Sequence, residues 1–258
     1  MITKLRAIGA TDVIQQGNNW FEADSYLRQN FIDNQDQQSD AAKQKNIHLP
    51  PFDHPKVWEG AATMVEEIAR QLPPLEESTS DAFPADAIVC SVGGGGLFNG
   101  IVGGLETCLQ SRKTGAGKDV YVVATETEGA HSLAHSIQHG SLQSLPAITS
   151  QATSLGAVRV APRTWQYAQA PPAGVKVVSA VGSDADAAQG VVRLADEHRL
   201  QVELACGISV QIATTKTLRE LVPDLKPQSR VVVVVCGGSN VTAETIAEYR
   251  QKLNEGWA

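Results

Sequence analysis

Four consecutive glycines, Gly93 to Gly96, are the residues whose type and spacing best suit a chemical role. They follow the apolar run Ala87–Val92 and precede a helix-like stretch, Leu97–Leu109. Because glycine has no Cβ, four in a row allow backbone N–H groups to converge on one point. Between a strand end and a helix start, those N–H groups and the helix dipole favour an anion. The pattern therefore predicts a loop that can hold a phosphate.

The ligand of this loop is not fixed by the glycines alone. A dinucleotide fingerprint fails because the frame that begins at Gly95 has Leu97 at its second position. A Walker loop fails because Leu97 and Phe98 stand where glycine and lysine are needed. A tight connection without a ligand and a cup for a single phosphate monoester both stay open. A smooth helix face packed close to the sheet is predicted by glycines spaced by four, Gly96, Gly100 and Gly104.

Short β-branched runs alternate with longer helical patterns along the chain. The predicted strands are Ala87–Val92, Val120–Thr125, Val175–Val181 and Arg230–Cys236. The predicted helices are Val57–Leu72, Leu97–Leu109, Ala185–Leu200, Ile208–Leu221 and Thr242–Leu253. Continuous apolar runs of this length are typical of strands buried on both faces. We therefore predict an α/β fold with a doubly wound, mostly parallel sheet, whose ligands lie beyond the carboxyl ends of the strands.

Three other segments carry local predictions. The polar stretch Asn34–Lys45 and the acidic, proline-containing stretch Leu75–Asp86 indicate surface loops. The segment Thr3–Ile14 resembles the end of a helix, with Gly9 as its terminating residue, followed by a strand. Because nothing introduces that helix, we expect the sequence to begin in the middle of a fold.

Composition narrows the class of protein. A net charge of -7 over 258 residues disfavours nucleic acid and anionic membranes as partners. No apolar stretch is long enough to span a bilayer, and the first residues do not resemble a signal peptide. The cysteines form no CxxC pair, and Cys90 and Cys236 fall in predicted buried strands. We therefore expect reduced thiols, no metal cluster and a cytoplasmic location.

Six segments in order resemble the pyridoxal-phosphate-dependent serine/threonine dehydratases, and the serine dehydratase branch in particular. The phosphate loop of that family resembles Ser91–Leu97, and the proline-rich entry to its large domain resembles Ile47–Gly60. The other matching segments are Thr125–Ser132, Ser144–Ser150, Val202–Gly207 and Val234–Asn240. The resemblance implies the tryptophan-synthase-β-like fold. Residues 1–46 would be a remnant of the small domain, and residues 47–258 would be the large cofactor-binding domain.

The resemblance also implies roles for individual residues. Gly93, Gly94, Gly95 and Gly96 would bind the cofactor phosphate, and Cys236 would face the pyridine nitrogen. A neutral thiol there would make the ring a weaker electron sink, which suits β-elimination of L-serine to pyruvate and ammonia. Beside the cofactor, the family's monovalent-cation site, for example for K⁺, would use the Glu126 carboxylate and the backbone carbonyls of Gly93, Ala130, Leu155 and Ala157.

One family feature has no counterpart in the sequence. The family binds its cofactor covalently through a lysine in a Ser-x-Lys motif near the N-terminus, and no lysine of this chain occupies such a place. We therefore expect a dehydratase truncated at its N-terminus, with weak cofactor binding, no catalytic residue of its own and no turnover of L-serine or L-threonine.

Three alternatives stay open beside an inactive relative. The missing segment could be supplied by a separate polypeptide, giving a split active enzyme. The chain could also pair without catalysis with itself, as a homodimer, or with a full-length paralogue. A nucleotide-binding regulatory domain is disfavoured, because the dinucleotide and Walker patterns both fail.

Overall fold

The structure is a computed structural model, and it describes residues 2–33, 46–74, 82–111 and 118–257. The chain divides into two compact units, Met1–Pro50 and Pro51–Ala258. The first unit contains helix α1 (Ile2–Ala7), helix α2 (Trp20–Leu27) and a π-helical turn, Arg28–Ile32. Gly9 follows α1 with φ of +97°, as predicted for a helix end. The predicted strand after it is wrong: residues 10–16 form no strand, and the described part of this unit contains no other strand for pairing.

The second unit is built on a four-stranded parallel sheet. Its strands are β1 (Ala87–Ser91), β2 (Val120–Thr127), β3 (Val175–Gly182) and β4 (Val231–Val233). They lie in the order β3-β2-β1-β4. In register, Ala87 pairs with Tyr121 on one side and with Val231 on the other, and Val120 pairs with Val175. Because all four strands are parallel, their carboxyl ends meet at one edge of the sheet.

Helices cover both faces of this sheet. They are α3 (Pro55–Gln71), α4 (Gly96–Gln110), α5 (Ser132–His139), α6 (Pro162–Gln169), α7 (Asp184–His198), α8 (Leu204–Thr214), α9 (Lys216–Leu221) and α10 (Ala243–Asn254). Val89 belongs to a core cluster with residues of α7, α8 and α10, whereas Ile88 belongs to a second cluster with residues of α3, α4 and α6. Successive residues of a strand thus face opposite layers. The predicted doubly wound α/β fold is confirmed.

The strands differ in burial. Every residue of β1 and β2 is buried, as predicted for strands covered on both faces. The same prediction is wrong for β3 and β4, where several residues are partly exposed. These two are the outer strands of the described sheet, so each has only one neighbouring strand. Cys236 is also exposed and lies beyond β4, not within a buried strand.

The smooth glycine face of α4 packs against a helix, not against the sheet. A Cβ on Gly100 would lie 2.4 Å from the Ala61 Cβ, and one on Gly104 would lie 2.8 Å from Val65 Cγ2. Both neighbours belong to α3. The predicted close approach is therefore correct, but its partner is α3.

The single helix predicted over Ile208–Leu221 is interrupted at Thr215. This residue has extended backbone, with φ of −113° and ψ of 176°, and it separates α8 from α9. The hydroxyls of Thr214 and Thr215 donate hydrogen bonds to the carbonyls of Val210 and Gln211. Threonine side chains that bond in this way compete with the helical backbone ladder.

Of the two predicted surface loops, Asn34–Lys45 and residues 75–81 lie outside the described residues. The end of the second loop is not at the surface, because Phe83, Ala85 and Asp86 are buried. Asp86 Oδ1 accepts a hydrogen bond of 2.6 Å from Lys118, and Asp86 Oδ2 accepts one of 2.8 Å from the backbone N–H of Arg230. This segment therefore anchors the sheet at the start of β1.

Candidate functional site

The glycine loop joins the carboxyl end of β1 to the start of α4. Gly95 is the N-cap residue of α4 and has φ of +97°. A Cβ at Gly95 would lie 1.9 Å from the Thr164 hydroxyl oxygen, which itself donates to Asn99 Oδ1 at 2.9 Å. Backbone conformation and space therefore both require glycine at this position.

The other three glycines are also closely approached. A Cβ on Gly94 would lie 2.2 Å from the Phe52 ring, and one on Gly96 would lie 2.9 Å from the Phe52 Cα. A Cβ on Gly93 would lie 3.2 Å from the Leu155 Cα. Phe52 is held against Gly94 and Gly96 by Trp58, whose indole N–H donates a hydrogen bond of 2.6 Å to the Phe52 carbonyl.

The backbone N–H groups of this loop are not used by the part of the protein that the structure describes. Within the described residues, the N–H groups of Gly93 through Gly96 have no acceptor. The loop conformation is fixed instead through a carbonyl: Gly94 accepts a hydrogen bond of 2.9 Å from the Ala161 N–H. A row of unpaired N–H groups at the start of a helix can bind an anion.

A cavity of about 530 Å³ connects the glycine loop to the end of β4. Its wall contains Gly93 to Gly96, Ser91 and Leu155, and both Cys206 and Cys236. The structure therefore brings the predicted phosphate loop and the predicted ring-facing thiol into one cavity. Sequence reasoning missed several residues of this wall, namely Phe52, Ser154, Glu203 and Cys206.

Cys236 lies beside a second thiol. Its sulfur is 3.5 Å from the sulfur of Cys206, in the first turn of α8, and 3.9 Å from the Ser91 hydroxyl oxygen. A hydrogen bond from Cys206 lowers the pKa of Cys236 to about 6, while the pKa of Cys206 is raised. The hydrogen bond therefore favours the thiolate form of Cys236 over the neutral thiol.

Glu126 is buried near the carboxyl end of β2. Its two carboxylate oxygens accept hydrogen bonds of 2.8 Å from the backbone N–H groups of Leu133 and Ala134, in the first turn of α5. Burial nonetheless raises the pKa of Glu126 to about 8. The ordinary position of a glutamate, exposed at a strand end, does not apply here.

Of the four residues predicted to offer carbonyls to the cation, Ala130, Leu155 and Ala157 are buried and Gly93 is partly buried. Leu155 lies against Gly93, and the Leu155 carbonyl accepts a hydrogen bond of 2.7 Å from the Ala157 N–H. Ala130 and Leu155 belong to the same core cluster. Close to Glu126 in sequence, the Ser132 hydroxyl is buried and has no hydrogen-bond partner within the described residues. Over all the residues that the structure describes, no group of three or more His, Cys, Asp or Glu side chains is placed to hold a metal ion.

No lysine lies in the described wall of the cavity. Of the ten lysines in the sequence, Lys43, Lys45 and Lys113 lie outside the described residues.

Over the described ranges, no helix is long and apolar enough to cross a membrane.

Comparison with known proteins places this site in a family. Residues 1–237 match the family model for pyridoxal-phosphate dependent enzymes. An L-serine dehydratase of Saccharomyces cerevisiae (strain AWRI1631) is 36% identical over 256 residues, which are 98% of this chain and 70% of the yeast protein. A serine dehydratase-like protein of Rattus norvegicus is 38% identical over 211 residues, or 81% of this chain and 58% of the rat protein. The structure of a fungal L-serine ammonia-lyase from Rhizomucor miehei matches with a TM-score of 0.78 and 31% identity, covering 98% of this chain and 70% of that one.

The chain therefore belongs to the pyridoxal-phosphate-dependent enzyme family, in which it is a serine dehydratase-like protein with a tryptophan-synthase-β-like fold. The predicted resemblance is confirmed. The glycine loop fits the phosphate of the family's cofactor, because its N–H groups have no acceptor among the described residues and a Cβ at any of the four glycines would crowd a neighbour. The missed residue Cys206 could have been found from the Val202–Gly207 segment, which carries part of the resemblance.

Proposed function

We propose that residues 47–258 form the cofactor-binding domain of a serine dehydratase-type protein, and that residues 1–46 correspond to part of the family's small domain. In this proposal the domain holds pyridoxal phosphate reversibly. The supporting observation is the cavity that contains both the unpaired N–H groups of Gly93 to Gly96 and the Cys236 sulfur. When bound, the cofactor supplies the electron sink that makes loss of the hydroxyl from L-serine or L-threonine feasible.

Different residues of the cavity wall would bind different parts of the cofactor. Gly93 to Gly96 donate hydrogen bonds to the phosphate, and the positive end of α4 adds electrostatic attraction. Phe52 packs against Gly94 and excludes water from one side of the loop. Cys236 presents its sulfur to the ring nitrogen, and Cys206 orients that sulfur by a hydrogen bond.

The carboxylate of Glu126 and the carbonyls of Gly93, Ala130, Leu155 and Ala157 are proposed to hold a monovalent cation. The charge balance supports this role. Glu126 is fully buried, and among the described residues its carboxylate has two backbone N–H groups as hydrogen-bond partners and no cationic side chain. A buried carboxylate is stabilised by a nearby cation, which offsets the cost of its lost hydration.

We further propose that the 258 residues do not turn over L-serine by themselves. No described lysine lies in the cavity wall, and the mechanism of this family needs a lysine amine at the cofactor. The test is pyruvate release from L-serine by the purified chain with added pyridoxal phosphate. The proposal predicts release no faster than with pyridoxal phosphate alone, and faster release would disprove it.

A second candidate is one half of a split enzyme, in which another polypeptide contributes the lysine. The cavity wall favours this hypothesis, because it contains the glycine loop and Cys236 but no described lysine. Co-expression with the lysine-bearing N-terminal segment of a serine dehydratase distinguishes the two candidates. Co-purification with pyruvate formation supports the split enzyme, whereas failure to associate contradicts it.

A further inference from the structure

Two sulfur atoms in the cavity wall lie close enough to react with each other. We propose that Cys206 and Cys236 form a peroxide-sensitive dithiol, which oxidises to an intramolecular disulfide in the wall of the cavity. The dithiol is a modification site of the protein itself. It needs neither bound cofactor nor turnover, so it stands apart from the proposed function.

The sulfur pair is held by the backbone on both sides. The Cys206 sulfur lies 3.2 Å from the Gly237 carbonyl oxygen and accepts a hydrogen bond of 3.3 Å from the Gly237 N–H. The Glu203 N–H also donates to the Gly237 carbonyl, at 3.1 Å. These bonds fix the segment that carries Cys236 against the start of α8. From 3.5 Å, the sulfurs need to approach by about 1.5 Å to form a disulfide.

The close crossing of α7 and α8 keeps the start of α8 in place. A Cβ on Gly207 would lie 2.0 Å from the Ala187 carbonyl oxygen, and one on Gly190 would lie 1.9 Å from the Gly207 carbonyl oxygen. The residue directly after Cys206 is therefore locked against α7. This rigidity keeps Cys206 beside Cys236 instead of letting it turn away.

Cys236 and Cys206 differ in exposure and in pKa, as the attacking thiol and the resolving thiol of a redox pair do. Cys236 is exposed, whereas Cys206 is 1% exposed, so peroxide reaches Cys236 first. The Cys206 S–H and the Ser91 hydroxyl stabilise the Cys236 thiolate, and the Glu203 carboxylate opposes it. The remaining titratable neighbour, Cys90, is buried, and its pKa is raised to about 12. An exposed thiolate with a thiol close by is the usual arrangement of a redox-sensitive cysteine.

The chemistry balances with hydrogen peroxide as oxidant. The Cys236 thiolate attacks one peroxide oxygen, so an S–O bond forms, the O–O bond breaks, and hydroxide leaves. This hydroxide becomes water by taking up the proton that Cys236 released to solvent when it ionised. The Cys206 sulfur then attacks the Cys236 sulfur, so the S–S bond forms and the S–O bond breaks. The leaving hydroxide takes the Cys206 proton and becomes water. In sum, two thiols lose two electrons and two protons, and one peroxide becomes two waters.

The test treats the purified chain with hydrogen peroxide at pH 7, followed by alkylation and mass spectrometry. The expected product is lighter by two hydrogen atoms, contains a Cys206–Cys236 linked peptide and is restored by dithiothreitol. Cys108, on α4 and only partly buried, stays alkylatable and gives the control variant Cys108→Ser, which must form the same disulfide. Absence of the linked peptide while Cys236 is oxidised further would overturn the proposal, as would oxidation of Cys108 before Cys236.

A variant separates the two steps. Cys206→Ser keeps a hydroxyl donor for Cys236 but has no sulfur to close the disulfide. It is expected to accumulate a sulfenic acid at Cys236, which dimedone traps. In the wild-type chain, trapping should fall severalfold because Cys206 competes. Equal trapping in both proteins would show that Cys206 does not resolve the sulfenic acid, and would contradict the proposal.

Discussion

The carboxylate of Glu126 accepts a hydrogen bond of 2.8 Å from the backbone N–H of Leu133, so β2 is joined to the first turn of α5. The second oxygen accepts from Ala134 at the same distance. The carboxylate thus satisfies two of the N–H groups that have no partner within the helix. Glu126 therefore belongs to the predicted cation site and also connects β2 to α5.

The burial of Glu126 predicts that the protein loses stability as the pH rises. Burial raises the pKa of Glu126 from 4.5 to about 8, so the folded chain binds the proton more tightly than the unfolded chain does. The stabilisation is complete below pH 4.5 and is lost as the pH rises to about 8. Thermal melts between these pH values should show a falling Tm for the wild-type chain. The decline should be much smaller for Glu126→Gln.

The control for this experiment is Glu128→Gln, since Glu128 follows the same strand but is exposed. Its pH profile should match that of the wild-type chain. Glu126→Gln should itself cost about 1–3 kcal/mol, because the amide offers only one acceptor to two N–H groups. A Glu126→Gln profile as steep as that of the wild-type chain would show that another group governs the pH dependence.

The proposed cation site predicts a specific effect of K⁺. At pH 8, KCl should raise the Tm of the wild-type chain more than tetramethylammonium chloride does at the same ionic strength, because only the small cation fits beside a buried carboxylate. Glu126→Gln should remove the difference between the salts. Equal Tm values in the two salts would argue against a cation at Glu126.

The glycine loop predicts a large cost for one added methyl group. Gly95→Ala places a Cβ 1.9 Å from the Thr164 oxygen and also strains a left-handed residue, at a cost of about 1–2 kcal/mol for the backbone alone. Gly140→Ala is the matched control, because Gly140 has φ of +64° but no atom within 4 Å of an added Cβ. Chemical denaturation should show a larger loss of stability for Gly95→Ala. Equal losses would mean that the loop relaxes around the methyl group.

The thiol pair predicts how Cys236 titrates. Cys206→Ala removes the S–H donor, so the pKa of Cys236 should rise from about 6 towards that of an ordinary thiol. Cys206→Ser retains a donor and should keep the lower value. The pH dependence of iodoacetamide labelling at Cys236 measures both. If Cys206→Ala leaves the midpoint near pH 6, then Ser91 or the start of α8, not Cys206, stabilises the thiolate.

Local features of the sequence predicted local structure well. The strand β1, the four glycines and the start of α4 are adjacent in the chain, so their order alone indicated a strand, a loop and a helix. The glycine face of α4 was harder, since a smooth face suits a sheet as well as a helix. Only the position of α3 decides between them.

Contacts between distant residues could not be predicted from residue types. Cys206 and Cys236 are 30 residues apart and share no CxxC spacing, so their 3.5 Å contact depends on how α8 packs at the end of β4. The hydrogen-bond partners of Glu126 could not be predicted from the residues next to it in sequence either, because they are backbone N–H groups of α5. Such arrangements follow from tertiary packing.

The central claim is that Gly93 to Gly96 bind the phosphate of pyridoxal phosphate in this chain. Equilibrium titration with pyridoxal phosphate, and in parallel with pyridoxal, tests it most directly, because the two ligands differ only in the phosphate. We expect binding of pyridoxal phosphate to be weak and reversible, yet at least about tenfold tighter than that of pyridoxal, equivalent to about 1.4 kcal/mol. Equal affinities for the two ligands, or no binding of either, would contradict the claim.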